Sequence, residues 1–483
     1  MLEARPIWLV NPDVASRVFP LEPGLFDVAI FDEASQMRVE NAVPALYRAR
    51  RAIISGDSKQ LPPTAFFGTA VSDDDEDDLL LSEALGEDAD AESADRRKQD
   101  AALNRRHVKD CQDLLALSQG VLPERNLTIH YRSAYRELIE FSNAAFYNGQ
   151  LNIPVNHPVG EVLRHVPIEV RRVDGVYGNQ CNPAEADAVV DHLAALWSAE
   201  GSAPPTIGVV TFNLKQAELI DDRIQKRAST DARFKAALNR EQARKADGED
   251  VSFFVRNLEN VQGDERDHIV FSTTFGRDGQ GVFRKSFGVL THTGGERRLN
   301  VAVTRAKSKV TVITSMPTED ISDIAREQRS PNKAREYLHL YMRYAELLTE
   351  GQLDAARAQL GAFEATALQT THDYEDDAAD ALVDRVRAVL TSGGFATELR
   401  PLKGAFAVDV AVVHSKTGLY CLGVELDGPR HPVLNSAKAR DIWRPRLLER
   451  QGMKLHRVLS AAWAADPARE QERLLKAARE ATL

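Results

Sequence analysis

Three groups of acidic residues stand where short apolar runs stop. Val28 to Phe31 ends in Asp32 and Glu33. Such a run predicts a buried strand of a parallel sheet, and ligands of open α/β sheets sit beyond the carboxyl ends of the strands. There Asp32 can hold a hydrated Mg²⁺ on a nucleotide, while Glu33 polarises an attacking water. Taken alone, an apolar-Asp-Glu string reads equally well as a strand ending in a solvated turn. A second run, Ala52 to Ser55, leads into Gly56-Asp57, and Gln60 follows at the reach of a γ-phosphate. Pro62-Pro63 then stops any helix. The third group lies far downstream. Asp409 stands in the run Phe406 to Val413, and Leu419 to Leu426 leads through Glu425 to Asp427 and His431. Strand alternation places Glu425 and Asp427 on one face, and Asp409 on an adjacent strand joins them as oxygen ligands for Mg²⁺. His431 is placed to position or deprotonate a water.

The elements that must carry these groups follow from periodicity. Thr206 to Phe212 predicts a buried strand and Asn213 to Ile224 an amphipathic helix. Further strands are expected at His268 to Thr273 and Val310 to Ser315. From Glu319 to about Thr371 the pattern is polar and helical. Its stripe of Tyr337, Leu340, Tyr341, Tyr344, Leu347 and Leu348 suits packing better than base stacking. A helix from Asp376 to Leu390, closed by Gly393-Gly394, opens the last region, and a helix from Ala437 to Gln451 precedes a strand at Lys454 to Leu459.

Composition bounds the class. The 483 residues are 43% hydrophobic and 28% charged, an ordinary globular balance with room for two to four domains. No apolar run is long enough for a membrane span and no signal peptide is evident, so a cytoplasmic location is expected. Cys111, Cys181 and Cys421 are far apart, which argues against a zinc site or a disulfide framework. The net charge of −11 is local. Between Asp73 and Asp100 thirteen acids face three bases, leaving the other residues at −1. That insert reads as a solvated, disordered loop, with a short docking helix suggested at Leu79 to Leu85. From Arg400 to Arg457 the balance is +6, which suits DNA contact.

Two strings carry a resemblance. Asp32-Glu-Ala-Ser35 followed by Gly56-Asp-x-x-Gln-Leu-Pro-Pro63 resembles motifs II and III of superfamily 1 helicases, most closely the branch of the nonsense-mediated-decay helicase. Leu127-Thr-Ile-His-Tyr-Arg-Ser133 resembles motif IV. The resemblance makes Tyr131 a platform for the adenine and Arg132 a γ-phosphate contact; otherwise Arg132 reads as a surface ion-pair residue. Asn257 to Asp267 resembles motif V, which places Gln262, Gly263 and Glu265 near the ribose and the nucleic-acid track. Gly294 to Lys307 resembles motif VI and implies that Arg305 is an arginine finger, stabilising charge on the transferred phosphoryl group when two domains close. Arg297, Arg298 and Arg305 otherwise read as a basic helix face. Thr211 and Thr291 are weaker candidates for phosphates of a single strand. No G-x-x-x-x-G-K-[ST] phosphate loop is found, and 31 residues precede Asp32. The expectation is therefore a chain that begins inside the first ATPase domain, as a truncated product, a mis-called start, or half of a split enzyme whose partner polypeptide carries the loop.

The third region resembles the PD-(D/E)xK nucleases, most closely those related to very-short-patch repair endonucleases, and Ala439-Arg-Asp-Ile-Trp-Arg444 fits that branch. Asp427 stands where a lysine is usual. Asp380 or Asp384 is a further candidate acid, and Arg440 and Arg444 are expected to hold a DNA backbone.

The expected fold is α/β throughout. A partial RecA-like domain with the acidic insert spans residues 1–160 and a second RecA-like domain spans 161–317. A helical connector covers 318–372, and a restriction-endonuclease-like domain covers 373–483. The expected function is an ATP-dependent helicase part fused to a Mg²⁺-dependent DNA endonuclease of bacterial DNA repair or phage defence. Its partners are ATP, Mg²⁺ and single-stranded or duplex DNA. The alternatives are a non-catalytic DNA-binding remnant and an RNA helicase with a nuclease-like adaptor.

Overall fold

The computed structural model describes residues 6–61, 111, 113–199, 204–291, 294–327, 329–364, 377–428, 431, 434 and 436–483, with backbone alone at 325, 362, 364 and 377–380. Pro62-Pro63, the insert 73–100 with the docking helix expected at Leu79 to Leu85, and the side chain of Asp380 lie outside the described residues. The chain forms two compact units, Met1–Asn126 and Leu127–Leu483.

In the first unit β1 (Ala29–Phe31) pairs in parallel with β2 (Ala52–Ile54). One face is covered: Phe31 packs with Ala34, Ala42, Leu114 and Leu115. The expectation of a strand buried on both faces does not hold for the described residues. Period-two alternation turns Val28, Ile30 and Ile53 outward, and Ile30 is 70% exposed.

In the second unit β3 (Ile168–Arg172), β4 (Ile207–Thr211), β5 (Phe254–Asn257), β6 (Arg266–Ser272) and β7 (Ala306–Thr314) form a fully parallel sheet in the order β3-β7-β6-β4-β5. Its central strands read as continuous apolar runs because helices cover them. Leu193, Ile220, Ile224 and Val209 form the core on one side. Asn213 caps the helix Leu214–Thr230, its side chain accepting from the Gln216 amide.

The tyrosine stripe lies on the helix Ala334–Thr349 and is core. Tyr341 and Tyr344 are buried against Phe141, and the Tyr344 hydroxyl donates to the Glu137 carbonyl. Phe141 belongs to the helix Glu137–Phe146, just after the motif IV string. That segment therefore packs within the second unit, whereas the expected boundary near residue 160 assigned it to the first.

The last region builds a mixed sheet, β8 (Ala396–Leu399), β9 (Val410–Val413), β10 (Tyr420–Leu426) and β11 (Lys454–Val458), antiparallel except for the parallel pair β10–β11. The helices Asp377–Ser392 and Pro467–Ala481 pack on one face through Leu382, Val386, Leu390 and Leu474. The loop before β9 is tied to the parallel-sheet domain. The Ala405 amide donates to Asn152 Oδ1 at 3.0 Å, and Asn156 Nδ2 donates to the Pro401 carbonyl at 2.5 Å.

Candidate functional sites

In the first unit Asp32 and Glu33 are exposed at the end of β1. Glu33 is left-handed at φ 53°, and its amide donates to Asp32 Oδ1 at 3.0 Å. Gln36 donates to Glu33 Oε2 at 2.9 Å. Gly56 sits against this turn: a Cβ there would stand 3.0 Å from the Ser35 amide nitrogen and 3.1 Å from that of Ala34. The Ala34 amide donates to the Ser55 carbonyl. The two sequence strings thus form one cradle, with Asp57 organising the second. Asp57 accepts from the Lys59 amide at 2.8 Å and from Gln60 Nε2 at 3.2 Å. The exposed Asp32 carboxylate has no basic partner among the described residues, and this suits a Mg²⁺ ligand.

In the second unit the motif IV and motif V strings meet. Arg132 Nε and Glu265 Oε1 are 2.7 Å apart, and Lys307 reaches the other oxygen at 3.9 Å. Tyr131 is 62% exposed beside Arg132. The turn that presents them is fixed by two residues the sequence reasoning passed over. His130 Nε2 lies 2.8 Å from Ser133 Oγ and accepts from the Ser133 amide. Burial, reinforced by the Arg132 charge, lowers the His130 pKa to about 4, so the ring stays a neutral acceptor. The signal was present as His and Ser three apart, flanking Tyr131-Arg132. Gly263 has φ +86° with open space around its Cα, a backbone state that disfavours side chains, and Gln262 is partly buried next to it.

Three candidates stand differently from expectation. Arg305 is 4% exposed; its Nε donates to the Val301 carbonyl at 2.7 Å, closing the end of the helix Gly295–Val303. Thr211 is fully buried and its hydroxyl donates to the Asn213 carbonyl. Thr291 likewise donates to the Gly288 carbonyl, although it is exposed. To donate to a strand phosphate, the hydroxyl of either threonine would have to release its bond.

The third centre departs most. The chain turns left-handed at Asp427, φ 56°, so strand alternation ends at Leu426 and Asp427 does not share the face of Glu425. Its Oδ1 instead accepts from the Ser460 amide at 2.8 Å. Asp409 precedes β9 and its Oδ2 accepts from the Leu426 amide at 2.8 Å. Glu425, 3% exposed, pairs with Arg444 and Arg457. Among the described residues no group of three or more His, Cys, Asp or Glu could hold a metal ion. The expected convergence of three carboxylates is therefore corrected. So is the expectation for Arg444: it is 1% exposed, donating also to the carbonyls of Ala405 and Ala407, and faces no solvent that a DNA backbone could occupy. Arg440 is partly exposed and pairs with Asp441. His431 is partly buried, which lowers its pKa, and Asp384 is exposed on its helix.

Family models of the AAA domain match residues 15–67 (AAA_11) and 112–317 (AAA_12). The chain is 33% identical over 348 residues to the uncharacterized ATP-dependent helicase MG140 of Mycoplasma genitalium, covering 72% of this chain and 28% of that one. It carries superfamily 1 helicase domains. A third family model, REase_MTES_1575, matches residues 383–478, so the helicase-type chain ends in a restriction-endonuclease-like domain. It is also 24% identical over 344 residues to the rat DNA-binding protein SMUBP-2 and 26% identical over 297 residues to the regulator of nonsense transcripts 1 of Dictyostelium discoideum. These matches cover 66% and 58% of this chain, and 28% and 18% of the relatives. The chain thus spans under a third of the length of these curated relatives. Among the described residues no helix is long and apolar enough to cross a membrane.

Proposed function

We propose that the chain supplies the nucleotide- and strand-handling parts of an ATP-driven, Mg²⁺-dependent DNA helicase of the cytoplasm, working in bacterial DNA repair or phage defence. In the first unit Asp32 would hold the Mg²⁺ of ATP, Glu33 would orient the attacking water and Gln60 would sense the γ-phosphate. In the second unit Tyr131 offers an exposed ring to the adenine, and Arg132 and Arg305 supply positive charge for phosphate oxygens. The observation that carries the reading is the Arg132–Glu265 pair, which joins a string assigned to nucleotide with one assigned to the strand track. A charge pair shared in this way lets occupancy on one side alter the other.

The C-terminal domain is read as a DNA-engaging domain of nuclease fold rather than as a cutting one, because its acids do not converge. Exposed Lys438 and Trp443, with the partly exposed Arg440, would make its contacts.

The test is phosphate release with single-stranded DNA or RNA. The 483 residues hold no phosphate-loop string, so alone they are expected to give no turnover near 1 s⁻¹. Supplied with a polypeptide carrying that loop, DNA-stimulated hydrolysis is expected, and Glu33→Gln or Arg305→Ala should each cost on the order of 10³-fold. Turnover by the chain alone, or indifference to both substitutions, would refute the assignment. RNA stimulating better than DNA would move the proposal to the RNA alternative.

A further inference from the structure

The sequence of the last region implies a divalent cation at Glu425, yet the side chains around it carry the opposite logic. Glu425 is buried, and both of its oxygens are taken by guanidinium groups, Oε1 by Arg444 and Oε2 by Arg457 at 3.4 Å. Arg444 is itself enclosed, with Nε on the Ala405 carbonyl at 2.6 Å and Nη2 on the Ala407 carbonyl at 2.7 Å. Arg457 is further shared with Asp441 at 3.4 Å. Of the other two acids, Asp409 is partly buried on the Leu426 amide and Asp427 points to Ser460.

Charge decides between occupants. Carboxylates gather a divalent cation when their negative charge is otherwise uncompensated. Here Glu425 already faces two positive groups, and arginine does not vacate a site by losing its proton. Admitting Mg²⁺ would strand the buried Arg444 without its counter-ion, and isolated buried charge is strongly unfavourable.

Resting on the reading of residues 377–483 as a nuclease-fold domain, we infer that Arg444, seconded by Arg457, occupies the position of the catalytic cation. Glu425 then closes an internal charge pair in a domain that neither binds a divalent metal there nor cuts DNA. The positive charge missing from the strand, where Asp427 replaces a lysine, is supplied from the following helix and is spent on structure. Arg444 is a positioning residue: it fixes the loop 405–407 and the end of β10 to each other.

Affinity cleavage on the full wild-type chain tests this directly. Fe²⁺ with ascorbate and peroxide replaces Mg²⁺ in oxygen-ligand sites and cuts the backbone nearby. No cuts above background are expected between residues 405 and 428, and Mn²⁺ should not protect that segment from hydrogen exchange. Cuts at 409 or 425 would overturn the proposal. In Arg444→Met/Arg457→Met, Glu425 loses both of its cations, so Fe²⁺ cutting at 425 and a Mn²⁺-dependent rise in Tm should appear. A folded double variant with neither would remove arginine as the reason for metal exclusion. Should that variant fail to fold, the wild-type cutting pattern decides alone. A helicase failure would show instead in phosphate release, which depends on none of these residues.

Discussion

Arg444 and Glu425 illustrate how one side chain can be necessary yet replaceable as half of a pair. Removing one partner of a buried pair leaves an uncompensated charge, at about 3–5 kcal/mol, whereas replacing both by apolar groups of similar volume is often neutral or better. We expect Glu425→Leu alone to destabilise the second unit by an amount in that range, read from the fall in its urea midpoint at unchanged slope. Glu425→Leu with Arg444→Met should recover most of the loss, apart from the bonds to the Ala405 and Ala407 carbonyls. If the double variant is as unstable as the sum of the single ones, the pair is not the unit that matters. At this scale the sequence showed which residues are chemical but not what each would bond. Asp409, Glu425 and Arg444 stood out by type and spacing, and all three lie near one another. Their expected convergence depended on the backbone angle of Asp427, which no alternation pattern reveals. Arg305 is a similar case: the string around it identified it, while its folding back onto Val301 depends on where the helix Gly295–Val303 ends.

At the scale of elements, the strings proved more informative than the strands that carry them. The parallel strands β4, β6 and β7 and the connector helix were legible because apolar runs and the 3.6-residue period are strong signals. β8 and the C-terminal helix Pro467–Ala481 passed unnoticed, since Ala396–Leu399 is mostly exposed and carries no apolar run. What the strings added was close approach. Gly56 is required because β2 leads straight into the back of the Asp32 turn, with 3.0 Å and 3.1 Å to two backbone nitrogens and 3.2 Å to Leu115. Backbone cannot yield as a side-chain end does. Gly56→Ala should therefore destabilise the first unit by about 1–3 kcal/mol, as overpacking does. The first unit's own transition in chemical denaturation should shift and that of the second unit should not. An unchanged first transition would mean that the turn tolerates a methyl group.

At the scale of the whole molecule, the second unit buries several histidines in their neutral form. Burial, with the nearby charge of Arg132 for His130, His165 for His157 and Arg171 for His192, lowers these three to about 4, and burial with the His192 charge lowers His268 to about 3. Each folded pKa lies below the ordinary 6.5, so the unfolded chain binds more protons in between. Stability is thus fully present above about pH 6.5 and declines as pH falls toward 4, at most about 1.4 kcal/mol per pH unit for each deeply buried ring. We expect Tm to fall steeply between pH 6.5 and 4.5, with His268→Gln flattening part of the slope. A Tm constant over that interval would refute the assignment.

The bond from Ala405 to Asn152 Oδ1 carries a mechanical meaning. Asn152 is stitched to the chain just before Tyr131 by three hydrogen bonds, two to the Thr128 carbonyl and one from the His130 amide. Gly404, at φ +65°, would bring a Cβ to 2.6 Å of the same oxygen, so the joint leaves no slack for a larger residue. Beyond it, the carbonyls of Ala405 and Ala407 hold Arg444. Under the proposed function, a displacement of Arg132 would pass through these bonds toward the far sheet, and the C-terminal domain would follow its neighbour as a tool follows a carriage, held at a set offset from a gripped strand.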